Sequence, residues 1–313
     1  MILFFLYLFV MLSQVYWGMS DWWVLATNFL LSGLLVFITL FLLDRNRLVT
    51  KSGTHTLFQG WVLMSCVLNL SVICLPPSFP WWYLDVFLIA LVGIFHLGAG
   101  IWQNSDSPLV CLELGAIVGA LTWLDAQSLF WLILIIALLF HIRSVSFRNL
   151  CCVLTGAATS VWLIYCVLTL LVSPDSGDAY LQSFVQLVDW HLPVFPVFAE
   201  GFTGYVFIAF LLLVTIGYLF SGYFLYGISS LRTQAALHFI SSMSLFLLVM
   251  LFFSYPTYFA LLAVPIALHL LLSLGNDPTK TAIWSARIII FLFILLGVGE
   301  RCVDWVFFWI FQH

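Results

Sequence analysis

Apolar runs follow one another along almost the whole chain, and the loops between them are too short to hold a soluble domain. The runs cover roughly residues 2–17, 22–43, 57–75, 82–102, 109–124, 126–142, 149–172, 202–227, 239–254, 257–275 and 282–299. A stretch of about 20 apolar residues crosses a bilayer as a helix, because a helix satisfies its own backbone polar groups where water is absent. Composition supports this: 64% of the residues are hydrophobic and 7% are charged, whereas soluble domains carry about 25% charged residues. The expectation is an all-α polytopic transmembrane bundle of ten or eleven spans, one integral membrane domain over residues 1–313. The opening segment MILFFLYLFVMLSQVYW lacks a basic start and a small-residue cleavage motif. It reads as a first short span and not as a cleaved signal peptide.

Charge placement favours eleven spans with the N-terminus inside. Nine residues are basic: Arg45, Arg47, Lys51, Arg143, Arg148, Arg232, Lys280, Arg287 and Arg301. In that topology all but Arg301 lie in, or at the membrane edge of, cytoplasmic loops, as the positive-inside rule requires. Asp21, Asp125, Asp175, Asp178, Asp189, Glu200 and Asp304 fall on the outer side. Trp22, Trp23, Trp81, Trp82, Tyr83 and Trp190 sit at outer boundaries and Trp102 at an inner one, where amphipathic rings anchor helices at the headgroups. This pattern implies a membrane location with the basic loops on the cytoplasmic side. The pair 109–124 and 126–142, joined only at Asp125, is either two spans or a re-entrant hairpin. The halves of the chain do not read as inverted copies, which weighs against a repeat-built transporter.

The longest polar break is the outer loop 173–201. Within it Leu181, Phe184, Val185 and Val188 recur at helical spacing, with Gln182 and Gln186 opposite. A short interfacial helix over 178–190 is expected, led by the acids of SPDSGD and stopped by Pro193 and Pro196. The residues best suited to chemistry follow it: Asp189, His191 and Glu200, with Asp85 near the outer end of its own span. Asp-x-His suits a metal or a general base, although side chains two apart on an extended segment point to opposite faces. Solvation at the interface is the plainer reading. Glu113 sits near the inner end of its span.

Four histidines, His96, His141, His238 and His269, fall toward the inner leaflet. A cluster of that kind holds iron in membrane oxygenases, but no HxxxH or HxxHH box is present. The seven cysteines show no CxxC spacing and read as small buried hydrophobes. The basic loops DRNRLVTKSGTH and HIRSVSFR read as topology signals and anionic-lipid contacts. There is no Gly-rich phosphate loop, no GxSxG and no sign of nucleic-acid binding. No cofactor or metal is specified by these motifs.

Two pieces carry a resemblance: NFLLSGLLVFITLFLLDRNRLVTKSGT at 28–54, and the run from LELGAIVGALTWLDAQ through HIRSVSFRNLCCVLTGAATSVWLIY within 109–170. Together they resemble an uncharacterised multi-pass inner-membrane family of Bacteroidota, a domain-of-unknown-function family. The shared pattern is a span ending in Asp-Arg-Asn-x-Leu, a Leu-Gly-x-x-x-Gly hairpin, and a loop bearing Arg148 before a glycine-containing span. Where that family carries a proline in the last span, this chain has GAATSVW. The resemblance implies a multi-pass inner-membrane fold and supplies no catalytic residues.

The function expected is a part in cell-envelope biogenesis, handling lipid-linked or polysaccharide intermediates. Membrane lipids are the certain partners, with a polyprenyl-linked or other lipid as substrate. The alternative is a non-catalytic scaffold or accessory subunit bound to another membrane protein. A small-solute transporter and a histidine–iron oxygenase have weaker grounds. Whether the chain is an enzyme is left open by these motifs.

Overall fold

The computed structural model describes residues 22–45, 48, 81–101, 107–186, 213–217, 231–253, 261–276, 288 and 291–292. Among them the chain is entirely helical, with eight α-helices of eleven or more residues and no strand. They are α1 (Trp22–Arg45), α2 (Trp81–Gly100), α3 (Pro108–Leu121), α4 (Trp131–His141), α5 (Phe147–Val167), α6 (Pro174–Gln186), α7 (Leu231–Phe253) and α8 (Ala263–Asn276). The expected runs 2–17 and 57–75, nearly all of 202–227, and most of 282–299 lie outside the described residues. Among the described residues, two helices are by length and composition apolar and long enough to cross a membrane, Phe147–Val172 and Thr233–Met250. The described part of the chain is therefore all-helical, as expected.

The expected run 239–254 is a helix that starts eight residues earlier, at Leu231. Arg232, Thr233 and Gln234 are polar but do not break a helix, so hydropathy placed the boundary too late. Within the run 257–275, whose first four residues lie outside the described ones, α8 spans Ala263–Asn276. Pro265 falls in the first turn, where its missing N–H breaks no helical bond.

The pair 109–142 forms a short helical hairpin. The 14 residues of α3 rise about 21 Å. A 3-10 turn over Ala126–Phe130 leads into the 11 residues of α4, together about 26 Å. Both arms are shorter than a hydrocarbon core of about 30 Å. The connection is compact because Asp125 caps the 3-10 turn, its Oδ1 accepting from the Gln127 N–H at 3.0 Å.

At the other end of α4, the backbone closes on itself. Arg143 adopts φ 56, the Ser144 N–H reaches the Leu139 carbonyl, and the Arg143 N–H reaches that of Phe140. This paired closure satisfies two orphan carbonyls with a left-handed residue. Ser146 then caps α5, accepting from the Asn149 N–H at 3.1 Å, while the Asn149 amide donates to the Ser144 carbonyl at 2.8 Å. From there α5 runs unbroken through GAATSVW, as expected for a sequence without proline.

Among the described helices, α3 and α5 approach most closely. A methyl group on Gly115 would strike the Val153 carbonyl, and one on Gly156 would strike the Leu112 carbonyl. Gly119 faces Ala157 and Ser160 at similarly short range. Small residues at such positions let helix backbones touch, the usual device for packing apolar helices where lipid competes with side chains. A buried core lies beside this pair. Phe95 of α2 stacks on Phe239 of α7 with ring centroids 6.1 Å apart, and Phe87 meets Trp131 at 5.5 Å.

Gly115→Val and Gly156→Val are each expected to lower stability by roughly 1–3 kcal/mol through overpacking. Gly93→Ala, where nothing lies within 4 Å of the added carbon, is expected to be neutral or stabilising by up to about 1 kcal/mol. Thermal melts of the detergent-purified chain check this ranking.

Candidate functional site

α6 starts four residues before its expected position, at Pro174. Ser173 caps it by accepting from the Ser176 N–H at 3.1 Å, and Pro174 takes the first helical position, which needs no N–H. SPDS is thus the start of the helix and not its leader. The face turned to the protein also differs from expectation. Gly177 and Tyr180 are buried, with Phe184 half-buried, while Leu181 and Val185 point outward. The reason is the tight seat of Gly177, where a methyl group would collide with Thr169 and the Tyr165 ring. That contact rotates the helix so that Tyr180, three residues on, points inward.

Between α5 and α6 lies a π-helical segment, Leu168–Val172. Its wider turn brings α6 back across the Thr122 end of the α3–α4 hairpin. There the Thr122 hydroxyl donates to the Gly119 carbonyl at 2.6 Å. Its single proton being used, it accepts from the Tyr180 hydroxyl, also at 2.6 Å. This bond joins residues 58 apart in sequence and ties α6 to the hairpin. Tyr180 also packs edge-on against Phe184, with centroids 5.1 Å apart.

Around this bond the chain leaves a cavity of about 430 Å³, within the range of small-molecule sites, about 300–1,000 Å³. Its polar lining is Thr122, Asp125, Gln127, Ser176, Tyr180 and Ser183, and Trp123 and Leu168 add apolar surface. The Gln127 Oε1 is buried and has no hydrogen-bond partner among the described residues. Burial raises the Asp125 carboxyl above its usual range, partly offset by the Gln127 N–H. Burial likewise raises the Tyr180 hydroxyl, so it stays a proton donor at neutral pH.

The candidates chosen from sequence fare differently. Asp189, His191 and Glu200 lie outside the described residues. Asp85 is buried on α2 with its Oδ1 unpartnered among the described residues, but it does not line the cavity. Glu113 lies on an exposed face of α3. Of the four histidines, two meet. His141 and His238 stack with centroids 5.6 Å apart, and the His141 Nε2 lies 2.8 Å from the Ser242 hydroxyl. His96 and His269 are buried separately. Among the described residues no three His, Cys, Asp or Glu side chains converge on a point that would hold a metal ion. In the sequence Asp125 stands out only as an outer acid between two apolar runs. The polar break TWLDAQ was the available signal for Thr122 and Gln127. Tyr180, Ser176 and Ser183 had none, because helix rotation decides which residues face inward.

No known protein family, curated protein or solved structure gives a significant match to this chain.

Thr122→Val and Tyr180→Phe are each expected to cost about 1 kcal/mol, and the double variant little more than either alone, because both remove one shared bond. A double-mutant cycle on melting checks this. Asp125 sets a pH dependence. With its folded pKa raised, the folded state holds a proton that the unfolded state has lost, so stability falls as pH climbs from about 3.9 through the folded value and is level above it. Asp125→Asn, which keeps the bond from the Gln127 N–H, is expected to abolish that slope in pH-dependent melts.

Proposed function

We propose that the chain crosses the bacterial inner membrane about eleven times, N-terminus inside, and acts in cell-envelope biogenesis by handling lipid-linked or polysaccharide intermediates. The observation that carries this reading is where the polar cavity sits. Hydroxyl, amide and carboxyl groups gather at one end of helices whose flanks are apolar, the same division as in an amphiphile. Beside the cavity, α5 and its π-helical end expose Leu163, Val167, Leu170, Leu171 and Val172. Apolar patches of that kind mark lipid or partner contact. The hydroxyls on this flank serve their own helix: Thr155 bonds the Cys151 carbonyl at 2.8 Å and Thr159 that of Thr155 at 2.7 Å. That habit suits an apolar surrounding. The charge asymmetry favours a topology in which the cavity end faces outward. The alternative, a non-catalytic scaffold or accessory subunit, draws on the same α5 flank, which a partner helix would also cover.

Reporter fusions at 144–148 are expected to read cytoplasmic and fusions at 175–178 periplasmic. Lipid mass spectrometry of the gently purified chain is expected to find a lipid-linked sugar at near-stoichiometric amounts, and depletion is expected to give an envelope defect. Bulk phospholipid alone, together with a stable partner protein in pulldowns, would replace this reading with the scaffold.

A further inference from the structure

We propose that the cavity between the α3–α4 hairpin and α6 binds an uncharged glycosyl group, the sugar part of a membrane-borne or soluble glycoside. This rests on the reading that the cavity end faces outward beside the lipid, and it adds the chemical class of the ligand.

The lining selects against the commoner headgroup chemistry. Among the described residues it contains no Lys, Arg or His, so these offer a phosphate no charge-assisted donor, and Asp125 would repel it when ionised. Among the described lining residues a choline or ethanolamine head has one carboxyl to meet, Asp125, and burial favours its neutral form. A sugar fits better. Its hydroxyls both donate and accept, and so do Thr122, Ser176, Tyr180 and Ser183.

Two lining groups are poised for a donor. The Gln127 Oε1 is buried and unpartnered among the described residues, and a buried acceptor without a donor is costly. A sugar hydroxyl would supply the missing proton. Because the Thr122 proton goes to Gly119, the Tyr180 proton goes to Thr122, and the Tyr180 oxygen keeps its lone pairs for a further donor. Trp123 borders the cavity and is 63% exposed, offering a ring face to the apolar C–H side of a pyranose.

The test is native mass spectrometry of the full chain with four lipids of identical acyl chains: monoglucosyl diacylglycerol, diacylglycerol, phosphatidylglycerol and phosphatidylethanolamine. The glucosyl lipid is expected to be retained about tenfold better than diacylglycerol, a gap of the size that one or two satisfied polar groups give. Gln127→Leu and Tyr180→Phe are each expected to bring the two near parity, and the second keeps the ring packing, so it reads the site even where the first disturbs folding. Displacement of the glucosyl lipid by millimolar glucose would support the site and assign it to soluble sugars; resistance to glucose would support a lipid-borne one. Parity in the unaltered chain, a preference for phosphatidylglycerol or phosphatidylethanolamine, or an undiminished preference in both variants would overturn the proposal. Loss of the glucosyl preference while a lipid-linked sugar still co-purifies would remove this site and leave the envelope role. An intact preference without any envelope defect would do the reverse.

Discussion

The contact on which the described part of the chain depends is the touching of two helix backbones, α3 and α5. Gly115 and Gly156 lie against opposing carbonyls, and Gly119 lies against Ala157 and Ser160. No larger side chain fits there without pushing the helices apart. That approach fixes the depth of the hairpin relative to α5, and hence where Thr122 stands when α6 folds back. It also commits one face of α5 to the protein and leaves the opposite face, with Leu154, Trp162 and Leu163, uncovered.

Polar groups are then spent at the two ends of this pair. At one end Ser144, Ser146 and Asn149 close the turn between α4 and α5. At the other, the Thr122–Tyr180 bond ties α6 across the hairpin. Between the ends the contacts are apolar or made by glycine. Such a division follows from the cost of unsatisfied backbone and hydroxyl groups in an apolar medium. The π-helical segment after α5 belongs to the same economy. Its Ser173 N–H to Leu168 carbonyl bond, 2.9 Å, keeps the backbone satisfied while the wider turn redirects the chain.

The sequence was a good guide to what hydropathy controls. The expected run 149–172 matches α5 with its π-helical end, and 22–43 matches α1 to within two residues. It was a poorer guide to boundaries set by caps. Ser173 and Pro174 start α6, yet the acids beside them made SPDSGD look like a loop. It was poorest for the cavity. The loop acids and His191 drew attention because charge is rare in this chain, whereas the groups that line the cavity are mostly hydroxyls and one amide, common residues with no spacing signature.

The sequence by itself determined the helical class and the order of the apolar segments, because those follow from transfer energies that each residue carries wherever it sits. Tertiary structure alone decided that Tyr180 turns inward, that it finds Thr122, and that Asp125 and Gln127 join them around one cavity. Those outcomes depend on the rotation and depth of whole helices, set by a few backbone-to-glycine contacts whose partners lie tens of residues apart in the chain.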